Sequence, residues 1–214
     1  MDEFLRARSD EQKNQRVAEI KEVTAELFKT HAYHEITLST IGEHLGWSRA
    51  NLYKYVSSKE EIFLQLAADA RDAYYEELLK AFSKKKYYDK EEAAKKWAHV
   101  SNKTRDWAVY GSILVSIIEQ NVTLERLKEF KKGYYDQLDV LTEQLAPKIN
   151  IKAEDFALFF STIHYHACGL SGFCETNPMI KQAIKELGIK RMKLNYKSEM
   201  QRFILMCLNE FQEH

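Results

Sequence analysis

Leu45 to Glu61 reads LGWSRANLYKYVSSKEE, and the fold turns on whether this is an untidy surface helix or a short helix that meets phosphates and base edges. It sets Trp47, Tyr53 and Tyr55 among Arg49, Lys54 and Lys59, with no acid before Glu60. Gly46 stands where a left-handed residue ends a preceding helix cheaply, and Ser48, two positions on, can cap the next. With Leu52 and Val56 directed inward, Arg49, Asn51, Lys54 and Tyr55 project elsewhere. Upstream, Leu38, Ile41 and Leu45 recur at i, i+3 and i+7, which predicts a two-turn helix capped by Thr37. Two short helices joined by a glycine turn, with a third packed behind, make a helix-turn-helix whose second short helix enters the DNA major groove. Gly42 costs about 1 kcal/mol against alanine inside a helix, so its presence points to a close approach there.

The rest of the chain reads as helix. From Gln15 to Phe28 the positions Val17, Ile20, Thr24, Leu27 and Phe28 form one stripe. Ser58 and Glu61 make an S-x-x-E box that opens a further helix along Ile62, Phe63, Leu66, Ala67, Ala70 and Tyr74. Asp89 and Glu92 repeat that box, and later helices are expected over 89–104, 106–119, 123–146, 153–174, 178–187 and 195–212. Asn177-Pro178 supplies a cap followed by proline at the first helical position. Two prolines and seven glycines in 214 residues, with no strand alternation, give an all-α fold. The net charge is zero, and residues 1–60 hold nine Lys and Arg against ten Asp and Glu, so any basic footprint is local. Cys168, Cys174 and Cys207 have no framework spacing and the N-terminus is not a signal peptide, which fits a reducing cytoplasm. The uncharged run Phe156 to Cys174 carries Ser161, Thr162, His164, His166 and Ser171, so it is expected as a buried interface helix rather than a membrane span.

The candidate chemistry is recognition. Arginine bonds guanine bidentately and asparagine does so with adenine, which makes Arg49 and Asn51, near the helix N-terminus, the base-reading candidates. Lys59 lies in the first turn of its helix, where a cation opposes the dipole but a phosphate would reward it. Thr37, Ser39, Thr40 and Tyr53 can contact phosphates through their hydroxyls. Trp97, Trp107, Tyr110, Phe130, Tyr134 and Tyr165 are candidates for an aromatic ligand pocket, with plain core as the alternative. His164 and Cys168 have the i, i+4 spacing of metal ligands, against a satisfied histidine and a small buried thiol. No HExxH, P-loop, GxGxxG or paired Cys-x-x-Cys motif anchors an enzyme or a cofactor. The run Lys84–Lys86 reads as a solvated loop.

Residues from about Arg16 to Phe63 resemble the DNA-binding domain of the tetracycline-repressor (TetR) family of bacterial regulators, through TLSTIGEHLGWSRANLYKYVSSKEEI from Thr37 to Ile62. Thr37, Ile41, Gly46, Ser48, Leu52, Tyr53, Lys59 and Glu60 stand where that pattern expects them. By this likeness Tyr53 and Lys59 grip the DNA backbone, and Arg49, Asn51 and Tyr55 occupy base-reading positions. Gly42, Trp47 and Val56 depart from it, since the family prefers alanine, a small aliphatic and phenylalanine there. IIEQNVTLERLKEFK, Ile117 to Lys131, resembles the family's C-terminal domain. The likeness implies a helix-turn-helix DNA-binding domain over 1–60 and a helical regulatory and dimerisation bundle over 61–214. It implies no enzyme and no cofactor, but a homodimeric repressor whose partners are a palindromic double-stranded DNA operator and a small-molecule effector, without a membrane. Physical reading assigns dimerisation to Phe156–Cys174 and to Lys197–Phe211, amphipathic through Met200, Phe203, Ile204, Cys207 and Phe211. The alternatives are a metal-responsive regulator using His164 and Cys168, and a helical protein-interaction module that never meets DNA.

Overall fold

The computed structural model describes residues 2–174, 178–190 and 192–212; Asn177, expected as a helix cap, and the Cys174 side chain lie outside the described residues. Among the described residues there is no β-strand, only one antiparallel bridge between Ile151 and Gln212. The chain packs as two compact units, Met1–Ala68 with Leu114–Phe130, and Asp69–Ile113 with Lys131–His214.

The first unit begins with α1 (Asp2–Thr30), which starts well before the expected Gln15. Glu, Leu, Arg, Ala, Gln and Lys dominate its early turns without glycine or proline, a composition of high helix propensity. A 3₁₀ turn (Tyr33–Glu35) leads to α2 (Leu38–Leu45), α3 (Arg49–Leu52) and the start of α4 (Lys59–Ala81). Ile20, Ile41, Leu52, Ile62 and Phe63 form its fully buried centre. Phe63 takes the rings of Phe28 and Tyr33 edge-on, each at 5.0 Å, which ties α4 to α1 and to the 3₁₀ turn. The buried Thr24 hydroxyl donates to the Ile20 carbonyl at 2.7 Å, so the one polar group in the α1 stripe is satisfied.

In the second unit α5 (Lys90–Lys103) packs on α10 (Tyr196–Phe211), α6 (Asp106–Ile113) on α8 (Ala153–Cys174), and α10 on α8. The remaining helices are α7 (Leu124–Leu145), which begins in the first unit, and α9 (Pro178–Glu186). Trp97 lies at the centre among Phe82, Phe156, Phe159 and Phe160, its indole N–H donating to the Tyr74 hydroxyl at 2.7 Å. The helix expected over 106–119 changes character at Leu114, where a π turn (Leu114–Ile118) carries the Glu119 amide back five residues to the Leu114 carbonyl at 2.9 Å.

Of the dimerisation face expected on α10, Met200, Ile204 and Cys207 are buried inside the chain, because α10 packs on α5 and α8, while Phe203 and Phe211 are half-buried. Met206 is instead the exposed apolar residue of that helix, and on α8 Leu158, Tyr165 and Phe173 are exposed. No described helix is long and apolar enough to cross a membrane.

Candidate nucleic-acid interface

The recognition segment is held by its caps. Thr37 Oγ1 accepts from the Thr40 amide at 3.1 Å while Thr40 Oγ1 accepts from the Thr37 amide at 2.9 Å, closing the first turn of α2 reciprocally. Gly46 ends that helix at φ 66°, a conformation costly to any residue with a Cβ. The Trp47 amide then bonds the Gly42 carbonyl at 2.8 Å, and Ser48 Oγ accepts from the Asn51 amide at 3.3 Å to start α3. This regular part of α3 is a single turn; beyond Leu52 the chain continues in turns that carry the Tyr55 and Val56 amides to the Leu52 carbonyl. Leu52 and Val56 are buried, which fixes the outward direction of their neighbours.

Ser39, Thr37, Ser48, Arg49, Tyr53 and Lys54 are exposed, while Thr40, Asn51 and Tyr55 are half-buried. Arg49 donates to the Tyr53 hydroxyl at 2.9 Å and its guanidinium lies 5.4 Å from that ring's centre, so the two present one cationic, hydroxylated corner. Because Tyr53 accepts there, its own O–H remains a donor. Tyr55 leans on Trp47, ring centres 5.8 Å apart, and Arg16 of α1 covers the Trp47 ring at 5.2 Å.

Lys59 is more deeply engaged than its sequence position implies. Its ammonium donates to the carbonyls of Tyr33 at 2.9 Å and Ile36 at 2.8 Å and sits 4.0 Å above the Tyr33 ring. Two of its three donors are therefore spent on the fold. Burial pulls its pKa below the ordinary lysine value, against a smaller opposing pull from Glu60. Tyr33, which sequence reading passed over, donates to Glu60 at 2.6 Å, and burial with that carboxylate raises its phenol strongly. The S-x-x-E box is only half reciprocal. Ser58 Oγ accepts from the Glu61 amide at 3.1 Å, but the Glu61 carboxylate accepts from the Ser57 amide and hydroxyl, each at 2.7 Å, and pairs with Arg126 at 2.8 Å. Burial alone would raise the Glu61 carboxyl, yet those donors outweigh it and the net shift is downward. Arg126 lies too far along the chain for local spacing to have revealed this anchor.

Of the six aromatics expected to line a ligand pocket, Trp107 borders a crevice of about 10 Å³ in the second unit, together with Tyr74, Ser101, Thr104, His164 and Tyr196. Trp97 and Tyr110 are buried, Tyr134 is half-buried, Tyr165 is 70% exposed, and Phe130 belongs to the first unit. The His164 ring stacks on Trp107 at 4.5 Å, and burial lowers its pKa to about 4, so it is neutral near pH 7. Cys168 Sγ lies 3.5 Å from His164 Nε2, with its thiol pushed up to about 12 by burial. Among the described residues no group of three or more His, Cys, Asp or Glu side chains is placed to hold a metal ion. Among the described residues, the buried Trp107 Nε1 has no hydrogen-bond partner.

Residues 20–66 match the family described as "Bacterial regulatory proteins, tetR family", and residues 68–209 match "Tetracyclin repressor-like, C-terminal domain". Among solved structures the chain is similar to a transcriptional regulator of the TetR/AcrR family from Thermobifida fusca, with 16% identity, 93% of this chain and 100% of that one covered, and a TM-score of 0.60. It is also similar to the fatty acid degradation regulator FadR from Bacillus halodurans, at 18% identity, 92% and 97% coverage and TM-score 0.58. PfmR, a TetR family transcriptional regulator from Thermus thermophilus, shares 16% identity over 89% and 97% of the two chains, with TM-score 0.57. At these identities the likeness concerns the fold. No match is found among curated proteins.

Proposed function

Since the chain belongs to the tetR family of bacterial regulatory proteins and is a DNA-binding transcriptional regulator, we propose that it works as a homodimeric, ligand-responsive repressor of a palindromic operator. Regulators of this family are generally not enzymes. The observation that carries the reading is the α3 turn, where Ser48 caps, Leu52 and Val56 are buried, and Arg49, Tyr53 and Lys54 face water together. In this reading Arg49 and Asn51 contact base edges. Thr37, Ser39, Thr40, Ser48, Tyr53, Lys54 and the remaining donor of Lys59 hold phosphates, and Tyr55 lies beside the bases. A single turn of helix makes few base contacts, so pairing two copies about one helical turn apart, roughly 34–36 Å, supplies the readout that one lacks. The exposed face of α8 supports such pairing. Leu158, Tyr165 and Phe173 recur at helical spacing on it, and Gly169 and Gly172 have open space where a side chain would stand.

For the effector, the reading takes the Trp107 crevice as the place that opens. At about 10 Å³ it is no larger than one water needs, so a ligand must spread α6, α8 and α10 to enter. The unpartnered indole N–H of Trp107 and the neutral His164 suit an uncharged, largely apolar molecule carrying one hydrogen-bond acceptor. Gly111 supports a responsive seam, since a Cβ there would lie 2.6 Å from Cys168 Sγ and 2.9 Å from His164 Nε2, so any motion of those side chains presses on α6. A differential preference of about 1–3 kcal/mol between DNA-competent and incompetent states would change operator affinity by about 5- to 150-fold.

The test is fluorescence anisotropy with the protein's own upstream DNA and a random duplex of equal length. Arg49→Ala is expected to lose most of the preference for the specific duplex, and Lys54→Ala to weaken both duplexes alike. Equal binding of the two duplexes by the unsubstituted protein would contradict the reading.

A further inference from the structure

A groove of about 650 Å³ runs beside the recognition segment within the first unit. One wall is α1, through Gln12, Lys13, Gln15, Arg16 and Glu19, and the other is Lys54 with Tyr55 at the end of the recognition turn. Three cations against one acid leave the lining with two net positive charges, and Glu19 is engaged, accepting from Arg16 at 2.8 Å. Lys13 and Lys54 are both exposed. Arg16 is held over the Trp47 ring and Trp47 against Tyr55, so the two walls are joined by a fixed stack rather than meeting by chance. The family match begins at residue 20, which leaves the α1 wall outside the part of the chain that the family description covers.

We infer that this groove is a second DNA-binding edge, in which Lys13 and Arg16 of α1 act with Lys54 to grip the sugar-phosphate strand flanking each operator half-site, while Gln12 and Gln15 donate to the same strand. The occupant follows from charge and continuity. The groove is polar and cationic, and its far wall is the residue pair that ends the recognition turn, so a strand lying along α3 runs into it. Phosphates carry one negative charge per about 1.7 Å of duplex axis, and lysine and arginine side chains on two walls meet that density without reading sequence. The flank is thereby gripped at positions whose bases are not read. The inference rests on the DNA-binding reading above and adds to it a longer footprint.

The experiment uses the full chain and a duplex carrying its selected operator, with anisotropy measured from about 50 to 300 mM KCl. Each lost phosphate contact removes about 0.9 from the slope of log K against log salt, so Lys13→Ala, present twice in the dimer, is expected to reduce the slope by about 1.8. A second arm trims the duplex flanks pair by pair beyond the half-sites. The unsubstituted protein should lose affinity on trimming at a duplex length where Lys13→Ala loses none. Lys13 is exposed, so its replacement leaves the fold intact, and Arg16→Ala is read alongside with thermal unfolding because Arg16 also covers Trp47. An unchanged slope together with identical trimming profiles, in a protein that still binds its operator, overturns this inference alone. Failure of the unsubstituted protein to bind any operator overturns both it and the reading it rests on.

Discussion

Replacing Lys59 by methionine separates what the fold asks of this residue from what DNA asks. The substitution keeps an unbranched apolar side chain and removes the ammonium that sits 4.0 Å from the centre of the Tyr33 ring and donates to the Tyr33 and Ile36 carbonyls at 2.9 and 2.8 Å. A hydrogen bond from a charged donor is worth about 1.5–3 kcal/mol, so the two set a ceiling of about 3–6 kcal/mol. The ammonium is only half-buried and water can reach the released carbonyls, which reduces the expected loss to about 2 kcal/mol. In urea, with a slope of about 1–3 kcal/mol per molar, the unfolding midpoint should fall by about 1 M. Operator binding, measured below that transition, should weaken for all sequences and show a smaller salt slope, since the third donor is lost as well. An unchanged midpoint with DNA binding abolished would show that the two carbonyl bonds contribute nothing and that Lys59 serves the phosphate alone.

Two further outcomes follow from the packing and the titrating groups. Gly42→Ala gains about 1 kcal/mol of helix propensity. However, its Cβ would stand 2.9 Å from the Trp47 backbone oxygen, itself fixed by the Trp47 amide bond to Gly42, and overpacking of this kind costs about 1–3 kcal/mol. A lower urea midpoint and weaker operator binding are expected, and a gain in stability would contradict the account. Acid should destabilise the protein in two windows. His164 has a folded pKa near 4 against 6.5 unfolded, so its neutral form is the one the fold accepts and stability falls as pH drops from 6.5 to 4. Glu61 is depressed below 4.5, so its contribution is complete above that value and is lost as pH falls through the lower folded pKa. His164→Phe should remove the first window and leave the second, as read by thermal unfolding across pH 3.5–7.5; a first window that persists would place its cause elsewhere.

The helices and the turn were legible because their signals are local. Thr37 and Ser48 accept from amides three residues on and Gly46 turns the chain at its own positive φ, and each does in the structure what its position implied. The inward direction of Leu52 and Val56 was readable from spacing, and with it the exposure of Arg49 and Lys54. What spacing could not reveal is where a side chain goes when its partner is distant in sequence. Lys59 reaches back to the 3₁₀ turn, Glu61 finds Arg126, and Met200, Ile204 and Cys207 of α10 are buried inside their own chain. Aromatic content was equally ambiguous. Trp97 and Trp107 look alike as residues in a helical bundle, but Trp97 donates to Tyr74 in a closed core whereas the Trp107 N–H, beside a crevice, has no partner among the described residues. The length of α1, and so the groove beside Lys54, is not announced by apolar periodicity, since residues 11–16 are all exposed.

Selection of bound sites from random-sequence DNA, run in parallel on the unsubstituted protein and on Arg49→Ala, tests most directly whether the exposed side chains of α3 read a duplex as a symmetric pair. A two-fold symmetric consensus is expected from the unsubstituted protein, with Arg49→Ala losing preference at one symmetry-related pair of positions while the rest of the consensus persists. A consensus without two-fold symmetry, or one that Arg49→Ala leaves unchanged, would contradict the account.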